Sequence, residues 1–130
     1  MADKPTPASQ KAIMLVDDSI TLVRTVADIL RTSGFHVETA LNAESALEQL
    51  ATGVKVDLLI TDLNMPGMNG IELIQKVRAL QHYRFIPILF LTTESQQSRR
   101  VEAKAAGASG WLVKPVTGED LLKTIAMVLR

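Results

Sequence analysis

The sequence predicts an α/β fold in which five strand-helix units wind a doubly wound, five-stranded parallel sheet of order 2-1-3-4-5. Three observations carry this. Strand-like apolar runs alternate five times with segments of helical period, which is the pattern of repeated βαβ units. The runs 13–16, 58–60 and 88–91 are continuously apolar, as central strands buried on both faces must be. The run 36–39 alternates instead, and the last run is short and opens with Gly110, so both read as edges. Right-handed crossovers then give the order 2-1-3-4-5, with the switch point between the first and third strands.

Taken in order, residues 1–10 carry prolines and small polar residues and predict a disordered arm, leaving 11–130 for one domain. The first strand, 12–16, stops at Asp17-Asp18. A first helix follows, with Ile20, Val23, Val26, Ala27 and Leu30 at spacings of three and four, and one of Asp18 and Ser19 as its N-cap. The edge strand 36–39 precedes a second helix with Ala43, Ala46, Leu47 and Leu50 on one face. The third strand stops at Asp62, the fourth at Thr92-Thr93 and the fifth, 111–113, at Lys114-Pro115. The fourth helix, from Ser95, offers the sheet Val101 and then only alanines, so it is weakly anchored and free to move. The fifth turns Leu122, Ile125, Ala126 and Leu129 inward. Gly34, Gly53 and Gly107 stand just past the first, second and fourth helices, where left-handed caps are expected.

Composition narrows the function. At 130 residues the chain has room for one real core and no second domain. Fourteen Lys and Arg balance fourteen Asp and Glu, so no net field draws it to nucleic acid or an anionic membrane. The absence of cysteine rules out disulfides, a thiolate nucleophile and cysteine-ligated zinc. Apolar runs of four or five residues fall far short of the ~20 that span a bilayer, and the start lacks the apolar core of a signal peptide. A soluble cytoplasmic monomer is expected.

The polar clusters that stop the strands carry the chemistry. Parallel strands bring their carboxyl ends to one edge, where open α/β sheets bind ligands. Asp17, Asp18, Asp62, Thr92 and Lys114 then share one crevice. Crowded carboxylates repel by ~4 kcal/mol per pair at close approach near a protein surface, and Mg2+, which prefers hard oxygen ligands, would compensate. Asp62, alone on a central strand, is placed as a nucleophile of the aspartyl-phosphate type. Thr92 can donate to a phosphoryl oxygen and Lys114 can neutralise its charge. Positioning and charge stabilisation are most of what phosphoryl transfer needs. His36 and His82 are expected at the surface or an edge, and Met14, Met65 and Met68 in the packing.

With Val16-Asp17-Asp18-Ser19, Thr61-Asp62-Leu63-Asn64-Met65-Pro66-Gly67-Met68-Asn69-Gly70, Leu91-Thr92-Thr93-Glu94, Ala106-Gly107-Ala108-Ser109-Gly110 and Lys114-Pro115 in view, residues 11–130 resemble the receiver domain of two-component response regulators. As a free-standing unit the chain is similar to the CheY-like chemotaxis branch, whose fold is the flavodoxin-like order 2-1-3-4-5. The resemblance implies that Asp62 accepts a phosphoryl group from a CheA-like sensor histidine kinase. It implies Mg2+ coordinated by Asp17, Asp18, Asp62 and the backbone carbonyl of Asn64, with Thr92 and Lys114 reading the phosphate. It further implies a cis bond at Pro115, tuning of hydrolysis by Asn64 and Glu94, and a switch through Thr92 and Trp111, which stands where the family has tyrosine or phenylalanine and is bulkier. The output would be a helix 4, strand 5, helix 5 surface that binds the flagellar motor switch or another protein target.

Other classes fit less well. A phosphorelay intermediate or phosphate sink would use the same residues without the motor. A Mg-dependent phosphatase of the haloacid-dehalogenase type needs a general acid two residues after its nucleophile, where Asn64 stands. In a flavodoxin Asp17-Asp18 would repel the flavin phosphate, a degenerate receiver acting only in docking would not keep all three acids, and no basic helix-turn-helix remains for DNA. The expected role is therefore that of a signalling phosphoacceptor rather than an enzyme.

Overall fold

A computed structural model describes residues 10–93 and 98–129. The elements run β1 (Ala12–Val16), α1 (Ile20–Thr32), β2 (His36–Ala40), α2 (Ala43–Ala51), β3 (Leu58–Asp62), α3 (Gly70–Ala79), a 3-10 turn (Gln81–Tyr83), β4 (Ile88–Thr92), α4 (Arg100–Ala106), β5 (Gly110–Val113) and α5 (Gly118–Val128). All four strand pairings are parallel and the sheet order is β2-β1-β3-β4-β5. Every residue of β1, β3 and β4 is buried, whereas β2 and β5 are half-covered edges.

Strand alternation divides the core in two. Ile13, Leu15, Leu58, Ile60, Leu89, Leu91 and Leu112 face α1 and α5. Met14, Val16, Leu59, Ile88 and Phe90 face α2, α3 and α4, joined there by Met65, Met68 and Trp111. Ser19, Asn42 and Thr117 cap α1, α2 and α5 by accepting from backbone N–H groups of the first turn. Gly34, Gly53 and Gly107 all have positive φ, as the ends of their helices require.

Three helical faces differ from the sequence reading. Ile20 is 55% exposed, because Ser19 caps the helix immediately before it and the inward stripe begins only at Val23. In α5 Ile125 is buried and Leu122 and Leu129 pack half-buried on the core, as expected, but Ala126 is exposed and Leu121 is the second fully buried residue. In α4 Val101 is 81% exposed and Ala103 is buried. Residues two apart on a helix differ by about 200°, so the two cannot both face the sheet, and the alanine allows the closer approach. The expected start of that helix and residues 1–9 of the N-terminal arm fall outside the described residues. His36 lies on the edge strand, as expected, and has an acidic partner, Glu38 Oε2 at 2.6 Å.

The C-terminal end of α4 is fixed. Arg78 of α3 donates through Nη1 to the carbonyls of Arg84 and Ile86 and through Nη2 to Gly107 O, just past α4. Among the described residues the start of α4 has no side-chain cap. No helix among the described residues is long and apolar enough to cross a membrane.

Candidate functional site

The register of the central strands builds the site. Val16 pairs with Thr61, so the residues that follow, Asp17 and Asp62, stand side by side. Asp17 is wholly buried: its N–H donates to Ala40 O at 3.2 Å, and its Oδ1 accepts from Ser19 N at 2.9 Å. Asp62, 5% exposed, is the last residue of β3, and its Oδ1 accepts from Leu63 N at 2.8 Å. Asp18 is exposed above them. The three carboxylates each place an oxygen within 4.8 Å of the others.

Lys114 follows β5, and its N–H donates to Thr92 O at 2.6 Å. The peptide bond to Pro115 is cis. By alternation Asp17, Asp62 and Lys114 share the parity of Leu15, Ile60 and Leu112, the α1/α5 side. The lysine therefore crosses the end of β4 to the acids, with Nζ 2.9 Å from Asp17 Oδ2 and 3.2 Å from Asp62 Oδ1. Asp17 Oδ2 is buried, and the Lys114 ammonium is its partner charge. Lys114 thus offsets part of the repulsion that composition alone left uncompensated.

Burial first, and then the Asp17 charge, push the Asp62 carboxyl above its usual range, against the opposing pull of Lys114 and the Leu63 N–H. For Lys114 burial acts downward, but the bond to Asp17 and the charges of Asp62 and Asp17 outweigh it and raise the ammonium. Both groups shift upward, with opposite consequences for their charged forms. The lysine gains from the pair, whereas Asp62, desolvated and beside a second carboxylate, remains a costly charge.

Thr92 ends β4 with the parity of Phe90, on the α3/α4 side of the sheet. Its hydroxyl is buried and has no hydrogen-bond partner among the described residues. A buried hydroxyl without a partner costs roughly 1–3 kcal/mol, which a phosphoryl oxygen at the site would recover. Three hard carboxylate oxygens with no nitrogen or sulfur donor among them suit Mg2+. The residues present fit both groups.

The loop after Asp62 is held from α3. The Asn69 side chain accepts from Glu72 N at 2.9 Å while Glu72 Oε1 accepts from Asn69 N at 3.1 Å, a reciprocal cap. Gly70 N donates to Leu63 O, and a Cβ at Gly70 would stand 2.2 Å from Asp62 O and 2.8 Å from Phe90 Cε1. Only glycine lets α3 begin this close to the Asp62 backbone. Sequence reasoning passed over Gly70 as a site residue because its role is steric.

Asn64 is exposed in this loop, with its Oδ1 3.5 Å from Arg99 Nη1; Arg99 Nε also pairs with Glu102 Oε1 at 3.2 Å. Trp111 pairs in register with Phe90 and packs on the α3/α4 side. The Arg100 guanidinium lies over the indole, 4.4 Å from the ring centroid, a contact worth about 0.5–2 kcal/mol. The Arg100 Nε is buried with no hydrogen-bond partner among the described residues. Glu94 lies outside the described residues. The two arginines were missed in the sequence. Their signal, adjacent cations where α4 begins, names no partner until the fold supplies Asn64 and Trp111.

Comparison with known proteins agrees with this geometry. The response regulator receiver domain family matches residues 13–126. Chemotaxis protein CheY of Pseudomonas aeruginosa is 38% identical over 117 residues, covering 89% of this chain and 94% of that protein. Chemotaxis protein CheY-3 of Vibrio cholerae is 39% identical over 110 residues, 84% of each. Among solved structures, chemotaxis protein CheY4 of Vibrio cholerae superposes with a TM-score of 0.88 at 44% identity, covering 93% of this chain and all of that one. A response regulator from Chloroflexus aurantiacus gives 0.86 at 30% identity, covering 93% and 98%.

Proposed function

The chain belongs to the response regulator receiver family, and from that premise we propose that it accepts a phosphoryl group on Asp62 from a CheA-like sensor histidine kinase in chemotaxis signalling. Loaded in this way, it presents an altered α4, β5 and α5 surface to the flagellar motor switch or another protein target. The observation that carries the reading is the convergence of Asp17, Asp18, Asp62 and Lys114 beside the buried Thr92 hydroxyl, which has no hydrogen-bond partner among the described residues.

An Asp62 oxygen attacks phosphorus as the bond to the kinase histidine nitrogen breaks, and that nitrogen keeps the electron pair. Mg2+, held by Asp17, Asp18, Asp62 and the Asn64 carbonyl, would supply positive charge to the phosphoryl oxygens. Lys114 exchanges its contact with the Asp62 carboxylate for one with the phosphoryl group, and Thr92 gains the acceptor its hydroxyl lacks. Thr92 and Trp111 share one face of the sheet, so movement of the threonine opens space toward the indole. Asn64 and Glu94 tune hydrolysis, and the protein acts as a cytoplasmic monomer.

Acetyl phosphate with Mg2+ tests the reading. One base-labile phosphoryl group should appear by mass spectrometry, disappear in EDTA, and be lost in Asp62→Asn. Labelling of Asp62→Asn at the wild-type rate would overturn it.

A further inference from the structure

The start of α4 carries two adjacent arginines that reach in different directions. Arg99 reaches Asn64 in the loop after the phosphoacceptor strand, and Arg100 lies on Trp111 of β5. The rest of this helix is sparsely anchored at this end: among the described residues it has no side-chain cap, Ala103 is its buried residue, and Val101 is 81% exposed. Its other end is fixed by Arg78 and Gly107. A displacement of α4 would therefore pivot about Gly107 and be largest at the arginines.

We propose that Arg100 is a positioning residue that latches Trp111 in its resting place, and that release of this latch couples the phosphorylation site to the α4/β5 surface. The proposal rests on the function proposed above and adds to it a residue of this chain. The contact is poised rather than tight. The guanidinium over the indole is a single contact, and no hydrogen bond of its Nε among the described residues adds to it. A resting state held by a single contact can be left when Thr92, on the same face, is drawn away by a new acceptor. By linkage, a contact made only in the resting state opposes binding of the phosphoryl group, so its removal must tighten that binding.

Beryllofluoride with Mg2+, titrated calorimetrically into the whole protein, measures binding without using the indole. Trp111 is the only tryptophan, so emission and acrylamide quenching report the latch separately. Arg100→Ala should bind beryllofluoride roughly 5- to 10-fold more tightly, and its ligand-free emission should already be displaced in the direction that beryllofluoride drives the wild type. Arg100→Lys, which keeps a cation over the ring, should stay within about twofold of wild type, the latch being electrostatic. Arg100→Met keeps the packing without the charge and should follow alanine, which keeps the test valid should Arg100→Ala unfold. Equal affinities in the wild type, Arg100→Ala and Arg100→Met would overturn the latch alone. Failure of the wild type to bind beryllofluoride in Mg2+ would overturn the function proposed above, and the latch with it.

Discussion

Helices α3 and α4 stand on the same face of the sheet and are held in opposite ways. The first has a reciprocal cap, a glycine wedged against the Asp62 backbone, and Ile71, Leu73, Ile74 and Val77 buried. Each such side chain contributes about 1.5–3 kcal/mol when fully buried. The second is seven residues long and buries Ala103, whose methyl is worth about 0.8 kcal/mol. The difference teaches where rigidity is needed. On the function proposed above, the backbone beside Asp62 must not move, because attack on phosphorus tolerates little misplacement. On the far side of Thr92 a weakly held element is the one whose position can report what happened there.

The sharpest way to break this comparison is at Gly70. Gly70→Ala forces a Cβ into Asp62 O and Phe90, and overpacking of this kind costs about 2–3 kcal/mol. Urea denaturation should show that loss, together with slower labelling by acetyl phosphate. A loss below about 0.5 kcal/mol would mean that α3 is no better anchored than α4.

A smaller effect is expected from charge at the rigid end. Because the folded-state pKa of Asp62 is raised, the protonated form favours folding. That contribution is fully present below the ordinary value of 3.8 and is lost as pH rises through the raised one. At neutral pH without metal the wild type therefore carries the cost of a buried charge. Asp62→Asn should be more stable in EDTA by on the order of 1 kcal/mol, the gain fading as pH falls below the carboxylate range. Thermal unfolding of both proteins from pH 3 to pH 7 checks the sign, and a variant less stable than wild type at pH 7 would mean that the Lys114 pair outweighs burial.

The smallest effect belongs to the sparsely anchored side. Val101→Ala removes an almost fully exposed side chain, so stability should change by less than about 0.5 kcal/mol. A loss comparable to that of Gly70→Ala would show that α4 is packed after all and would remove the contrast.

The parts of the molecule legible in the sequence are those fixed by local rules. Buried strands announce themselves as apolar runs, and a polar residue that stops such a run in a parallel sheet is delivered to one edge whatever the helices do. Asp17, Asp62 and Lys114 were therefore readable as neighbours. The inward face of α4 was not. One valine among alanines attracts the core assignment, whereas close packing against α3 selects the smaller Ala103. Lys114 was expected to meet a phosphate, and its resting bridge between Asp17 and Asp62 depends on its reach across the end of β4, which no spacing in the chain encodes. Arg99 and Arg100 were equally illegible, since a cation on a helix is ordinarily solvated until the fold brings an amide or an indole beneath it.

The division of the sheet into two parities has a consequence for how such a chain can diversify. The acids and Lys114 belong to one face and Thr92 with Trp111 to the other, so the site depends on an even-odd count along four separate strands. A one-residue insertion or deletion that slips a strand's register exchanges its two faces completely; in β4 it would set the Leu91 side chain where the Thr92 hydroxyl belongs. Exchanges of residue type on the outer helical faces leave that count untouched. Viable descendants of this sequence should therefore vary freely in helix surface and loop length while keeping the strands in frame, as a reading frame is kept in a gene.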